Sequence, residues 1–300
     1  MNAIEIHNLT KNFGEKQALC GLNMRVPMGA VYGFIGENGS GKSTTEKLIC
    51  GLIRPTDGEI RLFDKPYTDV DVRAKVGVLI ESPGCFPNYS VWNNLLLQAA
   101  NLHIANPKDE VRKVLKLVRM EGTASNKYKN CSLGMKQRIG IAMALLGNPK
   151  LLVLDEPLNG LDADGMRIMR EVLVEITKNG DCTVLVSSHL LGELEKIATH
   201  YGIVRGGKMI REMTAAELDA DCPTYVALQT KDVEKTKALL GDRFSRVVEE
   251  NGYIRVYDET TAEEVVQYLY EKGVLIREVK TDKISLEEYY VNLMKDGERV

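Results

Sequence analysis

Residues Gly36 to Thr44 read Gly-Glu-Asn-Gly-Ser-Gly-Lys-Ser-Thr and follow directly on the apolar run Ala30–Ile35. Few nine-residue stretches restrict a fold so far. Gly36, Gly39 and Gly41 let the backbone fold back, so that its N–H groups, with those of Glu37, Asn38 and Ser40, point into one small volume. Lys42 adds a point charge suited to the β- and γ-phosphates of a nucleotide, and the Ser43 hydroxyl suits Mg²⁺. From Thr44 the stretch Thr45, Glu46, Lys47, Leu48 and Ile49 suits a helix, whose N-terminal dipole favours the same anion. Strand, loop and helix in this order specify an α/β chain with a phosphate site at a strand end.

Three further apolar runs share the design. Val76–Ile80 ends in Glu81-Ser82-Pro83, Leu151–Leu154 in Asp155-Glu156-Pro157, and Thr183–Ser188 in His189. Short runs without alternation suit strands buried on both faces of a parallel sheet. In open α/β sheets ligands bind beyond the carboxyl ends of the strands, so polar chemistry at four such ends predicts one shared site. Asp155 suits Mg²⁺ opposite Ser43, Glu156 can orient a water for attack on the γ-phosphate, and His189 can contact that phosphate. Taken alone, a histidine at a strand end is as a rule structural. Three converging companions turn the reading toward the site.

Around this sheet the pattern predicts strands Ile4–Leu9, Ala18–Val26 and Glu59–Phe63 as a β-rich edge. Between Glu81 and Leu151 it turns helical. Ser90 caps Val91–Asn101, Pro107 and Asp109 open a second helix, and Ser132 caps a third with Ile139, Ala142, Met143 and Leu146. This reads as a helical subdomain inserted at about residues 85–148 of a domain spanning 1–218. From Asp219–Pro223 the character changes. The order Tyr225–Gln229, Val233–Leu240, Arg246–Glu249, an Asn251-Gly252 turn, Tyr253–Tyr257, Ala262–Lys272 and Val274–Lys280 is β-α-β-β-α-β, with a last helix Leu286–Met294. That is a ferredoxin-like plan for residues 219–300, an accessory or dimer-supporting α+β domain with no catalytic constellation.

A formal net charge of −3 gives no general attraction for nucleic acid or an anionic membrane. The six cysteines are scattered without a C-x-x-C spacing and read as reduced core thiols. No run approaches the ~18 apolar residues of a membrane span, and Met-Asn-Ala-Ile-Glu-Ile opens a strand rather than a signal peptide.

With these residues in view, the chain resembles the ATP-binding-cassette ATPases over about residues 2–218. Gly36–Thr44 is similar to that family's Walker A loop, Leu151–Glu156 to its Walker B strand, Gly160-Leu161-Asp162 to its D-loop, and Ser187-Ser188-His189 to its switch-histidine segment. Cys131-Ser132-Leu133-Gly134-Met135 stands where the signature Leu-Ser-Gly-Gly-Gln belongs. Ser132 and Gly134 match the positions that touch a γ-phosphate held by a partner copy, whereas Leu133 and Met135 depart from the pattern. Phe13 falls where the family places an aromatic against adenine, and as an isolated residue it reads equally well as core.

Glu81 is the most diagnostic departure, because the family has a metal-ligating Gln there. With Ser-Leu-Gly-Met-Lys-Gln-Arg and the C-terminal extension, it looks like the lantibiotic-immunity and bacitracin-resistance branch of exporters; the other reading is a solvated loop acid. The resemblance implies an ATPase using ATP and Mg²⁺, with metal contacts from Ser43, Glu81 and Asp155 and catalytic roles for Glu156 and His189. It implies a head-to-tail pair of identical chains attached to transmembrane permeases, cytoplasmic and peripheral on the inner face of the cell membrane, exporting antimicrobial peptides. The alternative is a soluble cassette ATPase acting on a macromolecular or regulatory partner. One phosphate loop, a short helical block and an acidic balance speak against the ribosomal and DNA-repair types.

Overall fold

In the computed structural model, which describes residues 1–178, 180–250 and 252–296, the chain opens on two long antiparallel strands. These are β1 (Asn2–Phe13) and β2 (Lys16–Pro27), joined through Gly14 in a left-handed conformation. Both run further than the alternation of Ile4, Ile6 and Leu9 predicts, because backbone pairing continues through polar Lys11 and Asn12 where no side-chain pattern marks it. β3 (Val31–Ile35) is buried at every residue and feeds the glycine-rich loop and α1 (Lys42–Ile49). β4 (Asp57–Leu62) and the short β5 (Lys65–Pro66) complete an antiparallel sheet in the order β2-β1-β4-β5. A single turn, α2 (Val70–Arg73), capped by the Asp69 carboxylate, leads into β6 (Val76–Leu79).

Three helices stand between β6 and the next strand: α3 (Val91–Asn101), α4 (Pro107–Leu117) and α5 (Leu133–Leu145). Their starts follow the sequence signals. Ser90 Oγ accepts from Asn93 N–H at 3.1 Å, Pro107 occupies the first turn, and Ser132 Oγ accepts from Met135 N–H at 3.3 Å. Each helix turns apolar residues inward, among them Val91, Leu95, Val111, Val114, Ile139 and Ala142. At roughly 1.5–3 kcal/mol for each larger side chain removed from water, this burial holds the block together.

The chain then returns through β7 (Leu151–Asp155), α6 (Ala163–Thr177) capped by Asp162, β8 (Thr183–Ser187), α7 (Leu191–Leu194), β9 (His200–Arg205) and β10 (Lys208–Thr214). The second sheet has the order β10-β9-β3-β8-β7-β6, parallel except for β10 at its edge. The four apolar runs therefore do share a sheet. α6 and the β9–β10 hairpin are additional to the sequence reading; for the hairpin, the run Tyr201-Gly202-Ile203-Val204 before Gly206-Gly207 carried a signal.

The chain divides into two compact units, Met1–Ala215 and a second beginning at Ala216, a few residues before the expected boundary at 218/219. α8 (Ala215–Asp221) runs across that boundary. The second unit holds β11 (Thr224–Thr230), α9 (Val233–Gly241), β12 (Val247–Glu250), β13 (Tyr253–Val256), α10 (Ala262–Glu271), β14 (Ile276–Lys283) and α11 (Leu286–Asp296). Its sheet order, β12-β13-β11-β14 with every neighbour antiparallel, is the expected split β-α-β arrangement. Asn251 of the expected turn lies outside the described residues. Val226, Leu228, Leu240, Ile254, Val256, Val265 and Leu269 form this unit's own core, and a reciprocal Thr261–Glu264 capping box starts α10. None of the six cysteines is in a disulfide. No described helix is long and apolar enough to cross a membrane.

Gly77 on β6 has no room for a side chain: a Cβ there would overlap the carbonyl oxygen of Ala144 on α5 and crowd Leu152 on β7. Gly77→Ala is therefore expected to destabilise the first unit by about 1–3 kcal/mol in chemical denaturation. Gly84→Ala, at a position with open space around it, should leave the midpoint nearly unchanged.

Candidate nucleotide site

The loop after β3 is shaped by its glycines. A Cβ on Gly36 would collide with the Ser40 hydroxyl and the Val204 carbonyl, and Gly41, at φ 112°, occupies a conformation only glycine takes readily. With these turns in place, Lys42 folds back over the loop. Its Nζ donates to the carbonyls of Gly36 at 2.6 Å and Glu37 at 3.2 Å, and only 6% of the residue is exposed. A buried ammonium held on neutral carbonyls gains from an anionic acceptor, since charge-assisted hydrogen bonds are about twice as strong. The Ser40 hydroxyl is buried there without a hydrogen-bond partner among the described residues.

Three strand ends meet at this loop. Ser187 Oγ, at the end of β8, donates to Asp155 Oδ1 of β7 at 3.0 Å, and Ser43 Oγ of α1 lies 3.5 Å from the same oxygen. Glu156 follows in the left-handed region, at φ 49°, with its N–H held by the backbone and hydroxyl oxygens of Ser187, both at 3.2 Å. That turn swings the Glu156 carboxylate to His189, whose Nδ1 lies 2.8 Å from Oε2 and whose backbone N–H lies 3.3 Å from it. A carboxylate only accepts, so Nδ1 carries the proton in this contact. Asp155 and Ser43 offer hard oxygen donors, while Glu156 and His189, next along the chain from the paired Asp155 and Ser187, form an acid–imidazole pair.

A cavity of about 580 Å³ opens over these groups. Phe13, Asn38, Gly39, Gly41, Lys42, Ser43, Thr44, Asp155 and Glu156 line it, so the sequence-derived loop, acids and aromatic come together. Phe13 is 49% exposed with Lys11 Nζ 5.0 Å from its ring centre, which settles it as a surface ring at the cavity and not core. Lys16, Gln17, Ala18 and Gly206 also line the wall and were missed, since they belong to strand and turn segments with no motif of their own.

Seven expected residues do not line this cavity: Gly36, Glu37 and Ser40 of the loop itself, His189 beside Glu156, and Glu81, Ser132 and Gly134. Glu81, in the left-handed region at φ 65°, is ion-paired to Lys47 of α1 at 2.7 Å, with 71% of its side chain exposed. That contact holds the Glu81 carboxyl below its usual range and raises the Lys47 ammonium. Ser132 and Gly134 sit at the start of α5, where the exposed Leu133 occupies the space over Gly160 and Leu161 lies against Gly134. The departure from the signature therefore has a packing partner in the same chain.

One group at the site carried no sequence signal. Glu46, on the inward face of α1, is 0% exposed, and neither carboxylate oxygen has a hydrogen-bond partner among the described residues. Asp155 and Ser187 lie beside it, but the single hydroxyl proton of Ser187 goes to Asp155. Burial, then the neighbouring Asp155 charge, raises the Glu46 pKa well above the ordinary carboxylate value.

Comparison with known proteins agrees with this geometry. The family model described as "ABC transporter" matches residues 19–159. The chain is 35% identical over 300 residues to the bacitracin transport ATP-binding protein BcrA of Bacillus licheniformis, covering 98% of both chains. It is 39% identical over 209 residues to the lantibiotic transport ATP-binding protein SrtF of Streptococcus pyogenes, covering 70% of this chain and 90% of that one. Among solved structures it superposes on cbiO1 of Clostridium perfringens, part of an ABC transporter complex, with a TM-score of 0.67 and 26% identity over 82% of this chain and 96% of that one. A dimeric ATP-binding cassette bound to ADP and phosphate gives a TM-score of 0.65 and 25% identity over 71% of this chain and 98% of that one. With the phosphate loop inside the matched region and a transport ATP-binding protein aligned along nearly its whole length, the chain belongs to the ABC transporter family, as an ATP-hydrolysing nucleotide-binding subunit.

Proposed function

We propose that the cavity binds Mg²⁺–ATP, and that hydrolysis there drives an exporter of antimicrobial peptides through permease subunits. The observation that carries the site assignment is the chain of contacts Ser43–Asp155–Ser187–Glu156–His189. Lys42 and the loop N–H groups of Gly36 to Thr44 hold the phosphates, and Phe13 stacks on the base. Ser43 and Asp155 would be the donors for Mg²⁺, and their hard oxygens suit a divalent ion. When bound, the metal neutralises charge on the β- and γ-phosphates. Glu156 accepts a hydrogen bond from the attacking water and orients it toward the γ-phosphate. His189 donates from Nδ1 to the Glu156 carboxylate and so holds it in place.

The remaining parts concern partners. Ser132 and Gly134 lie outside the cavity of their own chain, so we assign them to the nucleotide of a second copy docked head to tail, as the dimeric cassette relative suggests by analogy. The start of α5 offers unpaired N–H groups to that phosphate. Glu81 remains a candidate metal ligand, for which its pair with Lys47 must open. Beside it lies a second cavity of about 430 Å³, lined by Val78, Leu79, Ser82, Pro83, Leu102 and Met143. Its exposed apolar residues Val78 and Leu102 suit a permease segment. The bacitracin and lantibiotic cargoes named for the relatives support the peptide-exporter reading. We place the subunit in the cytoplasm, on the inner face of the membrane, and the second compact unit in an accessory or dimer-supporting role.

Two measurements test the site. Glu156→Gln should retain ATP binding in equilibrium dialysis and lose about a hundredfold or more in turnover, the range for removing a general base; wild-type rates would remove Glu156 from that role. Glu81→Ala should lower Mg²⁺-dependent hydrolysis severalfold or uncouple it from export, and unchanged activity, metal dependence and export would make Glu81 a solvated loop acid. The transport reading predicts co-purification with a membrane permease, and a stable soluble complex with RNA or DNA in its place would overturn it.

A further inference from the structure

Leu133 is the first residue of α5, and 51% of it is exposed. An exposed leucine is ordinary on a protein surface. What sets this one apart is its neighbour. A Cβ built on Gly160 would lie 2.5 Å from Leu133 Cδ2, so the leucine methyl fills the place where any other residue at 160 would begin its side chain. Apart from the chain neighbours of Gly160, only Leu133 among the described residues comes within 4 Å of that place. Gly160 also stands at φ 71°, which favours glycine for the backbone alone. The contact is returned one residue further on. Leu161 Cδ2 would lie 3.4 Å from a Cβ on Gly134, and Leu161 also packs against Gly165 in the first turn of α6. Two leucines thus meet two glycines where the start of α5 lies on the segment leading from Glu156 to α6.

That segment is short and internally tied. Asn159 N–H donates to the Glu156 carbonyl at 3.1 Å, and Leu161 N–H to the Leu158 carbonyl at 3.4 Å. Asp162 Oδ1 accepts from Gly165 N–H at 2.8 Å, and Leu158 is fully buried. A shift of Gly160 therefore reaches Glu156 through a single turn of backbone. Glu156 itself stands at φ 49°, a conformation that a glutamate keeps only while its surroundings hold it. A glycine at 133, as in Leu-Ser-Gly-Gly-Gln, would leave Gly160, the most permissive residue of the turn, uncovered. The leucine closes that space and so restricts the turn that sets the Glu156 carboxylate on His189.

We propose that Leu133 is a positioning residue for hydrolysis. Seated on Gly160, it ties the start of α5 to the Glu156 turn and makes the orientation of that acid depend on where the helical block stands. The proposal rests on reading Glu156 as the group that orients the attacking water. It is tested on the full chain by phosphate release from Mg²⁺–ATP. Leu133→Ala, which opens the space over Gly160, should lower kcat roughly tenfold with KM for ATP unchanged, and the melting temperature should stay within a few degrees. Leu133→Met, which carries apolar atoms to the same place, should restore kcat. Gly160→Ala displaces Leu133 from the other side and should also lower kcat. In that background Leu133→Ala should cause no further loss, because the new methyl fills the opened space. A wild-type kcat in Leu133→Ala, whatever its melting temperature, overturns the proposal. So does a rise in KM that accounts for the loss, a methionine variant as slow as the alanine one, or losses at 133 and 160 that multiply. Glu156→Gln separates this inference from the reading beneath it. If that variant hydrolyses ATP at the wild-type rate, the role of Glu156 falls and this inference with it. If it is inactive while Leu133→Ala is unaffected, this inference falls alone.

Discussion

The hydrogen bond from Ser187 Oγ to Asp155 Oδ1 is the contact on which the site depends. It ties the ends of two parallel strands and fixes which oxygen of Asp155 faces Ser43 on the helix after the phosphate loop. The same hydroxyl and the Ser187 carbonyl accept the N–H of Glu156, which stabilises the left-handed backbone that turns this acid toward His189. One small polar side chain thus orients three elements. It does so at the carboxyl edge of a sheet whose interior, from β3 to β8, is buried and apolar. Rigid strands beneath and short turns above are what hold charged groups within a hydrogen bond's length without water between them.

That economy also explains the unpartnered acid. A serine hydroxyl has one proton to donate, and here Asp155 receives it, which leaves Glu46 with none. Among the described residues the buried side-chain atoms without a partner are on Ser40 and Glu46 in the loop-and-helix segment around the site and on Glu110 and Arg138 in the helical block. Glu81 shows the opposite balance. Exposed and paired with Lys47, it is held by a contact that water and salt weaken readily, so its position can change at little cost when a stronger cation competes.

Much of this was legible in the chain. The phosphate loop, Asp155, Glu156 and His189 each end an apolar run, and runs without alternation specify buried parallel strands whose ends must gather on one edge. Helix starts at Ser90, Pro107 and Ser132 could be read because capping is local chemistry within four residues. The β-α-β-β-α-β order of the second unit was readable for the same reason, as a succession of local patterns. The extended ends of β1 and β2 and the cavity wall from Lys16 to Ala18 were not found. Backbone pairing and backbone proximity hold them, and neither leaves a period in the side chains; the β9–β10 hairpin was also missed, although its apolar run before Gly206-Gly207 carried a signal.

By itself, then, the sequence determined the fold class, the nucleotide chemistry and the identity of the residues at the strand ends, because these follow from local spacing and from the burial that apolar runs enforce. The family assignment rests on the same motifs, extended by likeness along almost the whole chain. Only the tertiary structure decided which of those residues meet. It brought Phe13 to the cavity, paired Glu81 with Lys47 outside that cavity's lining, seated Leu133 over Gly160, and buried Glu46 on the helix after the phosphate loop. Each of these depends on contacts between residues distant in the chain, or on the burial of a charge by its surroundings. Such terms arise only when the separate elements are packed together.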